Sequence, residues 1–124
     1  MKNWSLIISL LFLPIATFAA PNHGFEQEYA SLLDKFHKAQ EKRNSFISKY
    51  ADVELNQLQK QQLKSIDCEN INSELNYNNF VLNRFEDYTV FMKKHGHTDM
   101  NRELMEMDRE ALLEQKNNPE AKCK

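Results

Sequence analysis

Glycine and proline are scarce in this sequence, which holds two glycines and three prolines among its 124 residues. A sheet protein with many tight turns needs more of both residues, whereas helix interiors exclude them. Glutamine, glutamate, lysine and leucine are abundant instead. We therefore predict an all-α fold, a small bundle of about four helices of which two are long.

Basic charge is not in excess either. The sequence has 16 lysines and arginines and 18 aspartates and glutamates, which gives a formal net charge of −2. Nucleic-acid-binding domains usually carry a strong basic patch, and no run of like charge forms a tail in this sequence. We therefore expect no nucleic-acid partner.

Familiar catalytic motifs are also missing from the sequence. It holds no Gly-x-Ser-x-Gly nucleophile turn, no His-Glu-x-x-His zinc motif and no phosphate-binding loop. Two glycines also leave few places where the backbone can approach a substrate closely. We predict that the protein is not an enzyme.

The longest apolar run, residues 4–18, follows the positive charge of Lys2 near the N-terminus. This run is shorter than the roughly 20 residues that span a bilayer, and the pattern is typical of a secretory signal. Small residues at the restricted upstream positions favour cleavage after Ala19. We predict a signal peptide at 1–19 and one helical domain at 20–124, located in the periplasm or fully secreted, with no membrane segment after cleavage.

Apolar residues in the first half of the mature chain follow a helical period. From Phe25 to Tyr50 they recur every three or four positions, interrupted only at Arg43, which predicts one long amphipathic helix. The phase then slips, which indicates a turn near residues 51–53 with Asp52 as the N-cap of a second helix. A further slip near residues 67–70 predicts a break before a third helix.

The third helix is predicted to span Ile71–Met92 and to stop at Gly96, because a left-handed helix terminus favours glycine. Thr98 is a suitable N-cap for a fourth helix that ends near Lys116. The core-facing residues of the fourth helix are predicted to be the apolar ones that fit a helical period, Met100, Leu104, Met107, Ala111 and Leu112.

The third predicted helix carries an additional apolar stripe, formed by Tyr77, Phe80, Val81, Tyr88 and Phe91. A helix that is apolar on two sides either lies in the centre of a bundle or has a partner outside it. Both alternatives remain open, and the outside partner is either another protein or a second copy of this chain. If the helix has an outside partner, the residues predicted to bind it are Tyr77, Phe80, Tyr88 and Phe91.

Cys68 and Cys123 are the two cysteines of the chain. In an exported protein an even pair of cysteines usually forms a disulfide. Gly96 lies nearly midway between them, so an antiparallel helical hairpin that turns at Gly96 brings both cysteines to the same end. We predict a Cys68–Cys123 disulfide that staples the C-terminal hairpin.

The predicted turn at residues 93–99 has a histidine on each side of Gly96, and four methionines lie near it in the sequence. Imidazole and thioether together suit a soft cation such as Cu(I) or Ag(I). The ligands of such a site are predicted to be His95, His97, Met92 and Met100. In the alternative interpretation, the histidines interact with the helix C-terminus, the methionines fill gaps in the core, and no cofactor is bound.

Residues 55–66, LNQLQKQQLKSI, resemble the Leu-Thr-x-x-Gln helix starts of the Spy/CpxP-type periplasmic chaperone family. Leu55 and Gln59 match the ends of that motif, and Asn56 stands where the family has threonine; both residue types cap helices. The resemblance implies a small exported four-helix protein that binds unfolded clients on a concave apolar surface, usually as a dimer.

We therefore expect an exported, non-catalytic protein that acts by binding other proteins. It is either a chaperone or stress protein of the Spy/CpxP type or a dedicated inhibitor or immunity protein. A chaperone needs a broad, adaptable apolar surface, whereas an inhibitor needs a few anchored contacts with a polar rim. The alternative function is a periplasmic copper- or silver-binding protein that uses the His/Met cluster around Gly96.

Overall fold

The computed structural model describes residues 23–121 and residue 123. These residues form four α-helices and no strand, which confirms the all-α fold class. The helices are α1 His23–Lys49, α2 Gln57–Asn83, α3 Phe85–Lys94 and α4 Arg102–Asn117. The predicted signal peptide lies outside the described residues.

The turn between α1 and α2 is where the sequence predicts it, but the cap of α2 is different. The amide of Val53 donates to the carbonyl of Tyr50, at 3.2 Å, and closes the turn. The N-cap is Asn56, not Asp52. The Asn56 side chain accepts from the amide of Gln59, and the Gln59 side chain accepts from the amide of Asn56, at 2.8 and 2.9 Å. This reciprocal pair is a capping box, which satisfies two backbone donors at the helix start.

The predicted break near residues 67–70 is wrong, because α2 runs through it without interruption. Two sides of this helix are buried: Ile71 and Leu75 pack with Leu112 of α4, whereas Val81 packs with Phe25 and Tyr29 of α1. The apolar positions of α2 therefore do not follow a single stripe, although the helix itself is continuous. The two long helices are accordingly α1 and α2, rather than the first and third of the predicted set.

The chain does break at Arg84, which separates α2 from α3 with φ −124° and ψ 42°. The guanidinium of Arg84 binds Asp87 through two nitrogens, at 3.0 and 2.8 Å. It also lies over the rings of Phe25 and Phe80, 5.3 and 5.7 Å from their centroids. Such ion-pair and cation–π contacts stabilise the bend at this residue.

Gly96 ends α3 in the left-handed conformation that the sequence predicts, with φ 81°. The amide of His97 donates to the carbonyl of Met92 and the amide of Gly96 to that of Lys93, at 2.9 and 3.0 Å. This is the hydrogen-bond pattern of a Schellman motif. The N-cap of α4 is Asn101 rather than Thr98, because the Asn101 side chain accepts from the amide of Leu104.

Helix α2 lies between α1 and α4 and packs against both, each in an antiparallel direction. One buried cluster, here the aromatic cluster, consists of Phe25, Tyr29, Val81 and Tyr88. A second cluster consists of Ile71, Leu75 and Leu112 and is flanked by Cys123. Cys68 and Cys123 are joined by a disulfide with Cα atoms 5.3 Å apart. The C-terminal hairpin is therefore stapled at the end opposite Gly96.

Candidate functional site

The aromatic residues predicted to bind a partner are packed against α1. The rings of Phe80 and Phe25 are stacked with centroids 5.2 Å apart, and those of Phe91 and Tyr29 lie 5.0 Å apart. Tyr88 is buried, and Tyr77, Phe80 and Phe91 are half-buried around the same cluster. The structure thus brings all four predicted residues together inside the chain, on the side of α2 and α3 that α1 covers.

Two tyrosines at this cluster, Tyr77 and Tyr88, resist ionisation. The hydroxyl oxygens of Tyr29 and Tyr77 are 3.2 Å apart. Burial raises the pKa of Tyr77 strongly, and the hydrogen bond with Tyr29 adds to the effect. Burial also raises the pKa of Tyr88. A phenol that resists ionisation serves as a hydrogen-bonding core residue, so the cluster stabilises the packing of α1 on α2.

A pocket of about 390 Å³ lies beside Gly96, between the end of α3 and the start of α4. Three of the four predicted metal ligands line it, namely Met92, His97 and Met100. Met105 lines the pocket as well. The sequence gives Met105 no special place, because that residue falls outside the apolar phase predicted for the fourth helix. We refer to this feature as the methionine pocket.

His95, the fourth predicted ligand, does not line the methionine pocket. Its ring lies edge-on to the ring of Phe91, with centroids 4.5 Å apart. The two histidines that flank Gly96 therefore occupy different surroundings. Within the described residues, no group of three or more His, Cys, Asp or Glu side chains is placed to share a metal ion.

The structure corrects the predicted core face of the fourth helix, because only Leu112 of that set is buried and Met100 is half-buried. Leu104 and Met107 are 57% and 58% exposed, and Ala111 is exposed beside them. Leu112 is buried and Met105 packs against the aromatic cluster, so these two residues mark the inward side. At 3.6 residues per turn, Leu104, Met107 and Ala111 share a separate side of the helix. We call these three residues the α4 apolar face.

Acidic residues border the α4 apolar face. Glu103, Glu110 and Glu114 are exposed and form one row along the helix. Asp108 is exposed on the other border. The α4 apolar face is thus an exposed hydrophobic strip with carboxylates on both edges, an arrangement suited to a partner that carries basic groups around an apolar centre.

None of the helices in the described part of the chain is long and apolar enough to cross a membrane. No protein-family model matches the chain, no curated protein matches it, and no solved structure matches it.

Proposed function

We propose that this protein is an exported, non-catalytic binding protein that holds another protein against the α4 apolar face. The observation that carries this proposal is the exposure of Leu104 and Met107, each more than half exposed, in line with Ala111 on one helix. An apolar strip of this kind leaves hydrophobic area in water that association would remove. An amphipathic helix face is also a recurrent form of protein recognition.

The charges beside the strip indicate the chemistry of the partner. Glu103, Glu110 and Glu114 on one edge and Asp108 on the other attract lysine and arginine side chains. A second copy of this chain, pairing through the same face, would place carboxylates against carboxylates, which is unfavourable. We therefore propose a different protein with a basic rim as the partner, in preference to a homodimer.

The form of the surface supports a dedicated partner over a broad set of clients. The α4 apolar face has two large side chains, and its helix is packed on α2 and tied to it through the disulfide beyond its C-terminus. Few anchored contacts on a fixed helix suit one complementary surface, as an inhibitor or immunity protein would need. A Spy/CpxP-type chaperone would instead need a broad and adaptable apolar area.

A capture experiment tests this proposal. The mature protein would be immobilised without reductant and exposed to an envelope extract, beside the variant Leu104→Glu/Met107→Glu. We expect one stoichiometric partner on the wild type and at least a tenfold loss on the variant. The matched control is Val53→Glu/Leu58→Glu, because these residues are 57% and 63% exposed outside α4.

The outcomes separate the alternatives. Equal capture by the wild type and the α4 variant would refute the role of the α4 apolar face. Many weakly held proteins, together with suppressed aggregation of unrelated denatured proteins, would favour the chaperone. A loss of capture with the control variant as well would mean that the glutamates act through general charge or solubility, and would also count against the proposed face.

A further inference from the structure

We propose that the methionine pocket binds a soft monovalent cation, Cu(I) or Ag(I), through the thioethers of Met92, Met100 and Met105 and the imidazole of His97. All four residues line the same pocket of about 390 Å³. This site goes beyond the protein-binding role proposed for the α4 apolar face, which it adjoins at Leu104. It rests on residues that the fold brings together from three consecutive segments of the chain.

The Schellman motif and the start of α4 set the positions of these residues. The bond from the amide of His97 to the carbonyl of Met92 holds the histidine backbone against the last turn of α3, at 2.9 Å. Met100 precedes the N-cap Asn101, and the amide of Met105 donates to the carbonyl of Asn101 at 3.3 Å. The four donors therefore come from the end of α3, the turn, and the first turn of α4.

The donor set selects the class of metal. Thioethers are neutral, polarisable donors that soft d¹⁰ cations accept, and imidazole is a donor that copper also accepts. Mg²⁺ and Ca²⁺ prefer several carboxylate and carbonyl oxygens as ligands. The lining of this pocket has a single acidic side chain, that of Asp99. The thiolates that would otherwise compete for a soft cation are absent from the described residues, because Cys68 and Cys123 are joined.

The surroundings of the pocket favour a weakly hydrated cation. Met92, Met100 and Met105 are half-buried and pack against the aromatic cluster, and Tyr88 forms part of the pocket wall. A soft cation of single charge loses less hydration energy there than a divalent ion would. The Asp99 carboxylate in the lining supplies one negative charge to balance it.

Silver titration of the full mature chain tests the site, because Ag(I) is stable in air and mimics Cu(I). The protein, with its methionine methyl groups labelled with ¹³C, would be titrated with silver nitrate in chloride-free buffer. We expect saturation at one equivalent, with shifts of the methyl signals of Met92, Met100 and Met105. The signal of Met107, which is 58% exposed on α4, should stay in place.

Variants give a second readout by calorimetry. Met92→Leu and Met100→Leu keep the apolar volume and remove one sulfur each, so we expect at least tenfold weaker Ag(I) binding. His97→Ala should also weaken binding. Met107→Leu and His95→Ala are the matched controls and should bind like the wild type, because neither residue lines the pocket.

Three results would overturn the proposal. The first is no saturable shift of any methionine methyl group in the wild type, a measurement that no variant's folding can affect. The second is wild-type affinity in both leucine variants. The third is an equal loss of binding in the Met107→Leu or His95→Ala controls, which would place the silver ion elsewhere.

Discussion

Glu74 shows how a single side chain on α2 responds to the packing of α4. Burial raises the pKa of Glu74 above its ordinary value near 4.5, and the negative charge of Asp108 on α4 adds to the shift. The folded state therefore favours the protonated carboxyl. The stability that the folded protein gains from the protonated Glu74 carboxyl is fully present below the ordinary pKa. This stability is lost as the pH rises through the raised pKa.

Replacement of Glu74 by glutamine, which resembles the protonated carboxyl, should raise the melting temperature at pH 7. The gain in unfolding free energy should be small, about 0.5 kcal/mol, because Glu74 is partly exposed and solvent screens its charge. The difference from the wild type should vanish below about pH 4, where both side chains are neutral. Thermal melts across pH 3.5 to 8 measure this.

The variant Asp108→Asn provides the control for the Glu74 prediction. Removing either carboxylate relieves the same repulsion, so the Glu74→Gln/Asp108→Asn double variant should gain less than the sum of the two single gains. A melting temperature of Glu74→Gln that lies below the wild type at pH 7 would contradict the prediction.

At the scale of elements, one helix terminus could be predicted from the sequence and two helix N-caps could not. Gly96 was predictable, because a glycine after a polar helix end is the usual left-handed terminus. The two N-caps were not, because Asp52, Asn56, Thr98 and Asn101 are all suitable cap residues. Asn56 and Asn101 are the N-caps because the preceding turns end just before them and the following helices begin packing at that point. Both conditions depend on the folded chain.

The two glycines make a matched pair for a test of helix termination. Gly96→Ala should lower the unfolding free energy by about 1 kcal/mol, because a side chain at φ 81° is strained although the space around it is open. Gly24→Ala, inside the first turn of α1 and also with open space, should be neutral or stabilising by up to about 1 kcal/mol. Chemical denaturation measures both, and equal effects of the same sign would exclude this explanation.

The sequence predicts that apolar helices are present in the regions of α2 and α4, but it does not predict which side of each helix is buried. Periodicity shows that a helix has apolar positions, but it does not show which neighbour covers them. On α4, the sequence groups Leu112 with Leu104 and Met107, although Leu112 also fits a helical period with Met105. In the structure Leu112 is buried against α2 and Met105 packs against the aromatic cluster, so Leu104 and Met107 stay exposed as the candidate binding surface.

At the scale of the whole molecule, the disulfide joins the middle of α2 to the end of the chain. Its partners are separated by 55 residues, so the bond restricts a long loop in the unfolded chain. In the chain-entropy model this contributes about 4 kcal/mol. For a small domain that is a large fraction of the usual stability.

Reduction of the disulfide should therefore lower the free energy of unfolding by about 4 kcal/mol. Urea denaturation of the mature protein with and without dithiothreitol measures the change, and Cys68→Ser/Cys123→Ser should reproduce it without reductant. A thiol reagent should label no cysteine in the unreduced protein. Two reactive thiols before reduction, or an unchanged denaturation midpoint, would be inconsistent with the staple.

The sequence by itself determined the features that depend on local chemistry and on spacing. Scarce glycine and proline indicate helices, Gly96 marks the reversal, and the positions of Cys68 and Cys123 on either side of it predict their pairing. The tertiary structure alone decided that α2 is one helix with two buried faces, that His97 and His95 are separated, and that Met105 joins the methionine pocket. The physical reason is that a helix has the same local pattern whichever neighbour covers it, whereas burial depends on residues distant in the sequence.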